Sequence, residues 1–318
     1  MIKRTIYFGN PAYLSKKDEQ LVIKIPSVKE ETTEQAEPDL NQKYKNRGNE
    51  NIIPIEDIGI VILDNQQITI TQGLLAALLE NNSAVVTCDN KHHPAGLFLP
   101  LESNLEQSQR FQEQIEATVP LKKQLWQQTI SSKILNQALL LNKIGIQSDN
   151  MKKWSRDVKS GDPDNLEGRA AAYYWKNLFP QELDFKRDRY GEPPNNLLNY
   201  GYAILRAVVA RSLVASGLLP TLGIHHHNKY NAFCLADDIM EPYRPFVDDI
   251  VVTLVRDGED FTELTQSIKK QLLTIPVVDV FIEKQKRPLM IAVQRTTASL
   301  AKCFSGDQRK IIYPVFRL

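Results

Sequence analysis

The sequence predicts an α+β protein, with a small N-terminal β-rich domain followed by a larger all-α C-terminal domain. Two patterns support this prediction. Short runs of β-branched residues fill the first hundred positions, and apolar residues recur at helical spacing after about Gln107. The chain has 318 residues, of which 42% are hydrophobic, so it is long enough to form two separate cores.

The N-terminal domain is expected to span residues 1–100. Its strand candidates are the runs RTIYFG, EQLVIKI, GIVIL, QITIT and AVVTCD, and the run GLLAALLENN predicts a single helix. Residues 27–50 are polar and contain few aliphatic side chains. We expect them to form a mobile insertion, because they cannot bury enough apolar surface to offset the entropy lost on ordering.

The C-terminal domain is expected to span residues 101–318. Helical spacing predicts helices in FQEQIEATVPLKKQLWQQTISSKILNQALLLNKIG, in NNLLNYGYAILRAVVARSLVASGLL and in DFTELTQSIKKQLLTI. Gly145 and Gly217 are the predicted ends of the first two. Residues 184–194 are basic and punctuated by glycine and proline, which predicts a loop.

The composition excludes several classes of protein. No apolar run reaches the roughly 18–20 residues that a membrane span needs, and the N-terminus MIKRTIYFGN lacks the apolar core of a signal peptide. We therefore expect a cytoplasmic protein without a membrane partner. Cys88, Cys234 and Cys303 are widely spaced, which fits neither a disulfide framework nor a zinc motif. The net charge of +1 neither requires nor excludes nucleic acid.

The stretch LGIHHHNKYNAFCLADDIMEPYRPFVDD, Leu222–Asp249, combines three of the five histidines with a cluster of acids. Imidazole together with carboxylates is the ligand mixture of a divalent metal site. Asp238 and Glu241 stand three residues apart and would share one face of a helix. The competing interpretations are a solvated acidic face and an exposed run of histidines, of which at most one or two can point inward.

Glu167 is the third candidate ligand, at the start of the helical segment NLEGRAAAYYW. The alternative interpretation is that it only caps the helix or interacts with its dipole. Basic residues could together hold a nucleic-acid backbone, although each by default is an exposed or structural charge. These candidates are Arg244, Arg206, Arg211, Lys186, Arg187 and Arg189.

The string NLLNYGYAILRAVVARSLVASGLLPTLGIHH, followed by N-x-F-x-L-A-D-D-I-M-E-P, resembles the CRISPR-associated protein one family, in its type II variant. The resemblance covers nearly the whole chain apart from residues 27–50. It implies that Glu167, His226 and Glu241 hold a catalytic Mg²⁺ or Mn²⁺, and that Asp238 is a further ligand or supports one. Two departures are a third histidine, His227, and Cys234 at a position where a polar residue is common.

The same resemblance implies an integrase and endonuclease of spacer acquisition. The 3′-hydroxyl of a short DNA fragment attacks a phosphodiester at the end of a CRISPR repeat, and water can take its place as nucleophile. The implied partners are double-stranded DNA, a second copy of the chain (a homodimer) and a small dimeric ferredoxin-like adaptation protein. In the type II setting the large RNA-guided nuclease and an accessory ring protein assist.

Two other functions remain open at this point. One is a stand-alone metal-dependent DNA endonuclease acting in repair, with the same site but no joining reaction. The other is a catalytically silent DNA-binding scaffold whose acidic residues are structural. Only an integrase would produce the joined fragment, and only a scaffold would bind no metal.

Overall fold

A computed structural model of the chain describes residues 3–26, 51–90, 92 and 94–317. The chain divides into two compact units, Met1–Pro100 and Leu101–Leu318. The predicted mobile insertion at residues 27–50 lies outside the described residues.

The described residues of the first unit form two four-stranded sheets and one α-helix. One sheet has the order β1-β5-β7-β8 and the other β4-β3-β2-β6. The elements are β1 Arg4–Phe8, β2 Tyr13–Lys17, β3 Gln20–Lys24, β4 Asn51–Pro54, β5 Ile58–Leu63, β6 Thr69–Ile70, α1 Gln72–Glu80, β7 Ala84–Cys88 and β8 Pro94–Phe98. Strands β1, β5 and β7 are parallel, and β8 pairs with β7 in the antiparallel direction.

Burial explains the sequence of the first unit. Strand β5 reads as an uninterrupted apolar run, and five of its six residues are buried, as expected for a parallel strand covered on both faces. Leu14 on β2, Ile58 on β5 and Leu74 on α1 have no exposed surface and meet in one apolar cluster. The amphipathic run predicted as the single helix of this domain therefore closes its core.

The second unit is mostly helical. Its elements are α2 Gln107–Glu116, α3 Val119–Lys143, α4 Asp149–Asp157, α5 Leu166–Leu178, α6 Asn195–Ala215, α7 Cys234–Met240, α8 Arg244–Arg256, α9 Gln266–Leu272, β9 Asp279–Ile282, β10 Gln285–Pro288 and α10 Leu289–Ser305. Helix α3 packs against α4, α5 and the turn at residues 241–243, while α6 packs against α7, α8 and α10. These two long helices carry most of the framework of the site.

The predicted helix ends agree with the structure. Helix α3 ends at Lys143 and α6 at Ala215, and Gly145 and Gly217 follow with φ angles of 85° and 74°. Glycine adopts this left-handed conformation without steric cost, which makes it the usual residue after a helix. The stretch predicted to be helical after Gln107 forms two helices, α2 and α3. The side chain of Thr118 accepts a hydrogen bond from the Leu121 N–H at the start of α3.

The fold class is confirmed, with one correction to the all-α description of the second domain. Strands β9 and β10 form an antiparallel hairpin. Its turn residues, Glu283 and Lys284, both have positive φ angles. Such turns are usually marked by Asn-Gly or Asp-Gly, so a Glu-Lys turn carried no recognisable signal.

Within the described residues, no helix is long and apolar enough to cross a membrane.

Candidate active site

Glu167 is placed by the capped start of α5. The two side-chain oxygens of Asp162 accept hydrogen bonds from the backbone N–H groups of Leu166 and Glu167, each at 2.9 Å. Asn165 caps the same end by accepting from the Gly168 N–H at 3.2 Å. Neighbouring residues thus perform the capping, and the Glu167 side chain, 25% exposed, is free to point toward α3.

Glu241 lies in a single 3₁₀ turn, Glu241–Tyr243, between α7 and α8. Pro242 and Pro245 follow it, and proline is well tolerated at the start of a helix but poorly in its interior. The side chain of Glu241 is only 5% exposed. A buried carboxylate needs compensating charge, and two cations supply it.

Lys133 joins the two glutamates. Its ammonium Nζ lies 2.7 Å from Glu167 Oε1 and 2.7 Å from Glu241 Oε2. The other oxygen of Glu241, Oε1, lies 2.9 Å from Arg244 Nη2. Two carboxylates from distant parts of the chain therefore converge on one cation, and Lys133 is a site residue that the sequence analysis did not identify.

Asp238 holds the loop that carries the histidines. It has no exposed surface, and its Oδ2 accepts hydrogen bonds from the backbone N–H groups of Ile224 and His225 at 2.8 and 2.9 Å. Its Oδ1 lies 2.5 Å from Nδ1 of His226. Gly223 is required here, because a Cβ at that position would lie 2.4 Å from the His226 carbonyl oxygen and 2.8 Å from Asp238 Oδ2.

The three histidines have different surroundings. His226 is half-exposed, and its Nδ1 donates to the carboxylate of Asp238. In the neutral ring this bond places the proton on Nδ1 and leaves a lone pair on Nε2. His225 stacks on Trp126 with 4.1 Å between ring centroids. His227 is exposed. Of the three, His226 is therefore the one whose orientation is fixed by a buried carboxylate.

The charges in the site act on one another. The hydrogen bond to Asp238 raises the pKa of His226 against the opposing effect of burial, and the charges of Glu241 and Glu167 add to it. Burial acts to raise the pKa of Glu241, but the charges of Arg244 and Lys133 outweigh it and hold this pKa below its ordinary value. The imidazole and both carboxylates thus share one electrostatic environment.

The described part of the chain has no group of three His, Cys, Asp or Glu side chains arranged to hold an ion as they stand. The donor groups nevertheless suit a divalent cation. The carboxylates of Glu167 and Glu241 both contact the Lys133 ammonium, and their negative charges act on the nearby imidazole of His226. Glu241 Oε2 is buried and makes no hydrogen bond of good geometry, in spite of its 2.7 Å ion contact with Lys133.

Two of the predicted DNA-binding residues, Arg244 and Arg187, contact other protein side chains in the helical unit. Arg244 contacts Glu241 and lies over the Tyr202 ring at 4.8 Å from its centroid. Arg187 donates to the side chains of Asn195 and Asn199 at 2.8 and 2.7 Å. Both guanidinium groups are thus held by protein partners.

The other four lie in different settings. Arg206 donates through Nε to Asp237 at 2.7 Å and remains 40% exposed on its side chain, whereas Arg211 is buried in α6. Lys186 and Arg189 are exposed in the 184–194 loop. A DNA-binding role for the six basic residues stays a prediction.

A cavity of about 410 Å³ opens beside His226. Lys122 on α3 and Lys229 in the histidine loop are among the residues that line it. Both were absent from the predicted basic set, because an isolated lysine in an amphipathic helix or a polar loop has no distinctive sequence signal.

Comparison with known proteins assigns the family. The model of the family described as CRISPR associated protein Cas1 matches residues 6–284. The chain belongs to the Cas1 family. A relative from Neisseria meningitidis serogroup C, named CRISPR-associated endonuclease Cas1, is 38% identical over 254 residues, which are 79% of this chain and 83% of the relative. The resemblance drawn from the sequence is confirmed, and with it the predicted class of enzyme, a Cas1 endonuclease and integrase.

Solved structures share this Cas1 fold at low sequence identity. A casposase bound to integration product superposes with a TM-score of 0.74 at 20% identity, over 98% of this chain and 92% of that one. A Cas6-RT-Cas1–Cas2 complex contains a chain that matches with a TM-score of 0.71 at 20% identity, over 99% of this chain and 36% of that one.

Proposed function

We propose that this Cas1 chain integrates short DNA fragments into a CRISPR repeat, with Glu167, His226 and Glu241 as the ligands of a catalytic Mg²⁺ or Mn²⁺. The observation that carries the proposal is the convergence of Glu167 and Glu241 on one positive charge, beside an imidazole whose Nε2 is available. Oxygen and nitrogen donors of this kind suit both ions.

The reaction is a phosphodiester exchange. The 3′-oxygen of the fragment forms a bond to the phosphorus at the repeat end, the bond from phosphorus to the 3′-oxygen of the repeat strand breaks, and the proton passes overall from the attacking to the leaving oxygen. A divalent cation would lower the pKa of the attacking hydroxyl and neutralise charge on the transition state.

The chain's own residues have distinct tasks in this proposal. Asp238 holds His226 through Nδ1 and leaves Nε2 as the nitrogen that would bind the ion, and Arg244 balances the charge of the buried Glu241. Lys122 and Lys229 line the cavity beside His226, where they could neutralise a DNA phosphate. With Nδ1 occupied by Asp238 and both Asp238 oxygens in use, a positioning role suits Asp238 better than a direct ligand role.

The proposed partners are double-stranded DNA, a second copy of the chain and a small dimeric ferredoxin-like protein. The Cas2 named in the complex of the second structural relative supports the last of these. The RNA-guided nuclease and the accessory ring protein are proposed to act earlier, in selecting fragments. Five residues of the basic set are proposed to lie along the DNA path: Arg244, Arg206, Lys186, Arg187 and Arg189. Arg211 is left out of it, because its side chain is buried in α6.

The test is a joining assay with a labelled fragment, a plasmid carrying the repeat and the ferredoxin-like partner from the same locus. We expect a joined product in Mn²⁺ or Mg²⁺, none in EDTA, and none with Glu167→Gln, His226→Ala or Glu241→Gln. Glu182→Gln is the matched control, because Glu182 is exposed in a separate turn.

Three outcomes would contradict the proposal in different ways. Retained joining by one of the three variants would remove that residue from the ligand set. Metal-dependent cleavage without joining would favour a stand-alone endonuclease. Calorimetry that detects no Mn²⁺ binding would favour a silent scaffold.

A further inference from the structure

Lys133 occupies the space between the two glutamates. It lies in the middle of α3, and its side chain is only 10% exposed. Its ammonium takes one oxygen of each carboxylate at 2.7 Å, while Arg244 takes the remaining oxygen of Glu241. Both oxygens of Glu241 are therefore directed at protein cations.

A divalent cation held by Glu167 and Glu241 would need the same carboxylates. Like charges repel strongly at short range, and the repulsion is weakly screened in a buried site. The ammonium and the ion consequently exclude each other from the space between these oxygens. Lysine suits such an exchange, because its charge sits at the end of a flexible four-carbon stem.

We propose that the Lys133 ammonium binds the carboxylates of Glu167 and Glu241 in the absence of metal and competes with the divalent ion for them. Loading of the ion then requires the Lys133 ammonium to leave the carboxylates. The inference rests on the metal site proposed above, and it assigns Lys133 a function in controlling access to that site.

The first experiment measures Mn²⁺ affinity by calorimetry on the full chain. Lys133→Met keeps the length of the side chain and removes its charge. We expect it to lower the dissociation constant by about tenfold or more, the scale of losing one charge-assisted contact. Lys143→Met is the matched control with unchanged affinity, since Lys143 lies on the same helix and pairs with Asp249 at 2.7 Å. Unchanged or weaker Mn²⁺ binding by folded Lys133→Met overturns the proposal.

Thermal unfolding provides a second readout of the same variant. In EDTA, Lys133→Met leaves two carboxylates without their shared counter-ion, so its melting temperature is expected to fall below that of the wild type. Mn²⁺ should then raise the melting temperature of the variant by more than it raises that of the wild type. An equal or smaller rise would contradict competition.

Amine labelling of the wild-type protein tests the displacement itself, even if the variant does not fold without metal. Mass spectrometry after limited acetylation is expected to show slow modification of Lys133 in EDTA and several-fold faster modification in Mn²⁺, with Lys143 unchanged. If the protein binds Mn²⁺ through Glu167 and Glu241 but the acetylation rate of Lys133 does not change, the displacement of Lys133 is rejected and the metal site stands. Absence of any Mn²⁺ binding by the wild type rejects the proposed metal site together with it.

Discussion

At the scale of single residues, the buried carboxylate of Asp238 holds the loop that carries the histidines. It accepts the backbone N–H groups of three successive residues, Ile224, His225 and His226, together with the Nδ1 proton of His226, which uses both of its oxygens. A carboxylate bonded to a histidine in this way fixes the ring orientation and raises the basicity of the other nitrogen. Asp238 thus links the fold of the loop to the chemistry of His226.

We expect Asp238→Asn to reduce Mn²⁺ affinity and joining by about 10–100-fold, the usual effect of losing such a partner. The reason is that an amide offers one acceptor oxygen where the carboxylate offers two. Calorimetry and the joining assay measure the change. Asp237→Asn is the matched control, since the carboxylate of Asp237 pairs with Arg206 and Asn231, whereas that of Asp238 pairs with His226. Equal losses in the two variants would contradict the positioning role.

At the scale of elements, α6 approaches α8 closely at a glycine. A Cβ on Gly201 would lie 2.5 Å from Cγ1 of Val247, closer than side chains pack. Helix α8 begins directly after the turn that carries Glu241, so the helix that packs on Gly201 is the one adjoining that glutamate.

We expect Gly201→Ala to lower the free energy of unfolding by about 1–3 kcal/mol, the typical cost of overpacking. Chemical denaturation measures it. Gly73→Ala in α1 is the control, because nothing lies within 4 Å of its added Cβ, and it should be neutral or stabilising by up to about 1 kcal/mol. Adding Val247→Ala should recover part of the Gly201→Ala loss; a purely additive pair would rule out the steric explanation.

At the scale of the whole helical unit, one buried acid connects three helices. Asp248 on α8 accepts hydrogen bonds from Tyr174 on α5 at 2.7 Å and from Tyr202 on α6 at 2.5 Å. Burial raises the pKa of Asp248 to about 6, against the opposing hydrogen bonds from the two tyrosines. The folded protein therefore holds a proton on Asp248 at pH values where the unfolded chain has released it.

The contribution of Asp248 to stability should consequently fall as the pH rises from about 4 to about 6, and stay low above that range. Asp248→Asn removes this titration. We expect the stability of the wild type relative to the variant to decrease across this window by about 3 kcal/mol, in line with a shift of roughly two pKa units at about 1.4 kcal/mol each. Denaturation curves at several pH values measure it, and a difference independent of pH would contradict the assignment.

Much of the architecture could be predicted because its signals are local. The helix ends at Gly145 and Gly217 follow from the freedom of glycine to adopt positive φ, and β5 follows from an apolar run. The candidate ligands Glu167, His226 and Glu241 came from long motifs of the family, and the structure brings them into one environment. Their role as ligands remains a prediction.

Other features had no readable signal. Lys133 lies in a helix with several polar residues, where lysine is ordinarily exposed, and its burial depends on two glutamates far away in the sequence. The β9–β10 hairpin turns through residues that rarely form such turns. Lys122 and Lys229 come together only because the histidine loop folds back beside α3.

The sequence by itself determined the fold class, the family and the residue types available for catalysis, because helical spacing, apolar runs and long motifs are written in neighbouring positions. Only the tertiary structure decided which cation lies between Glu167 and Glu241 and which nitrogen of His226 is available. Those facts depend on distances between side chains that are remote along the chain, and such distances are set by the packing of α3, α5 and α7 rather than by any local pattern.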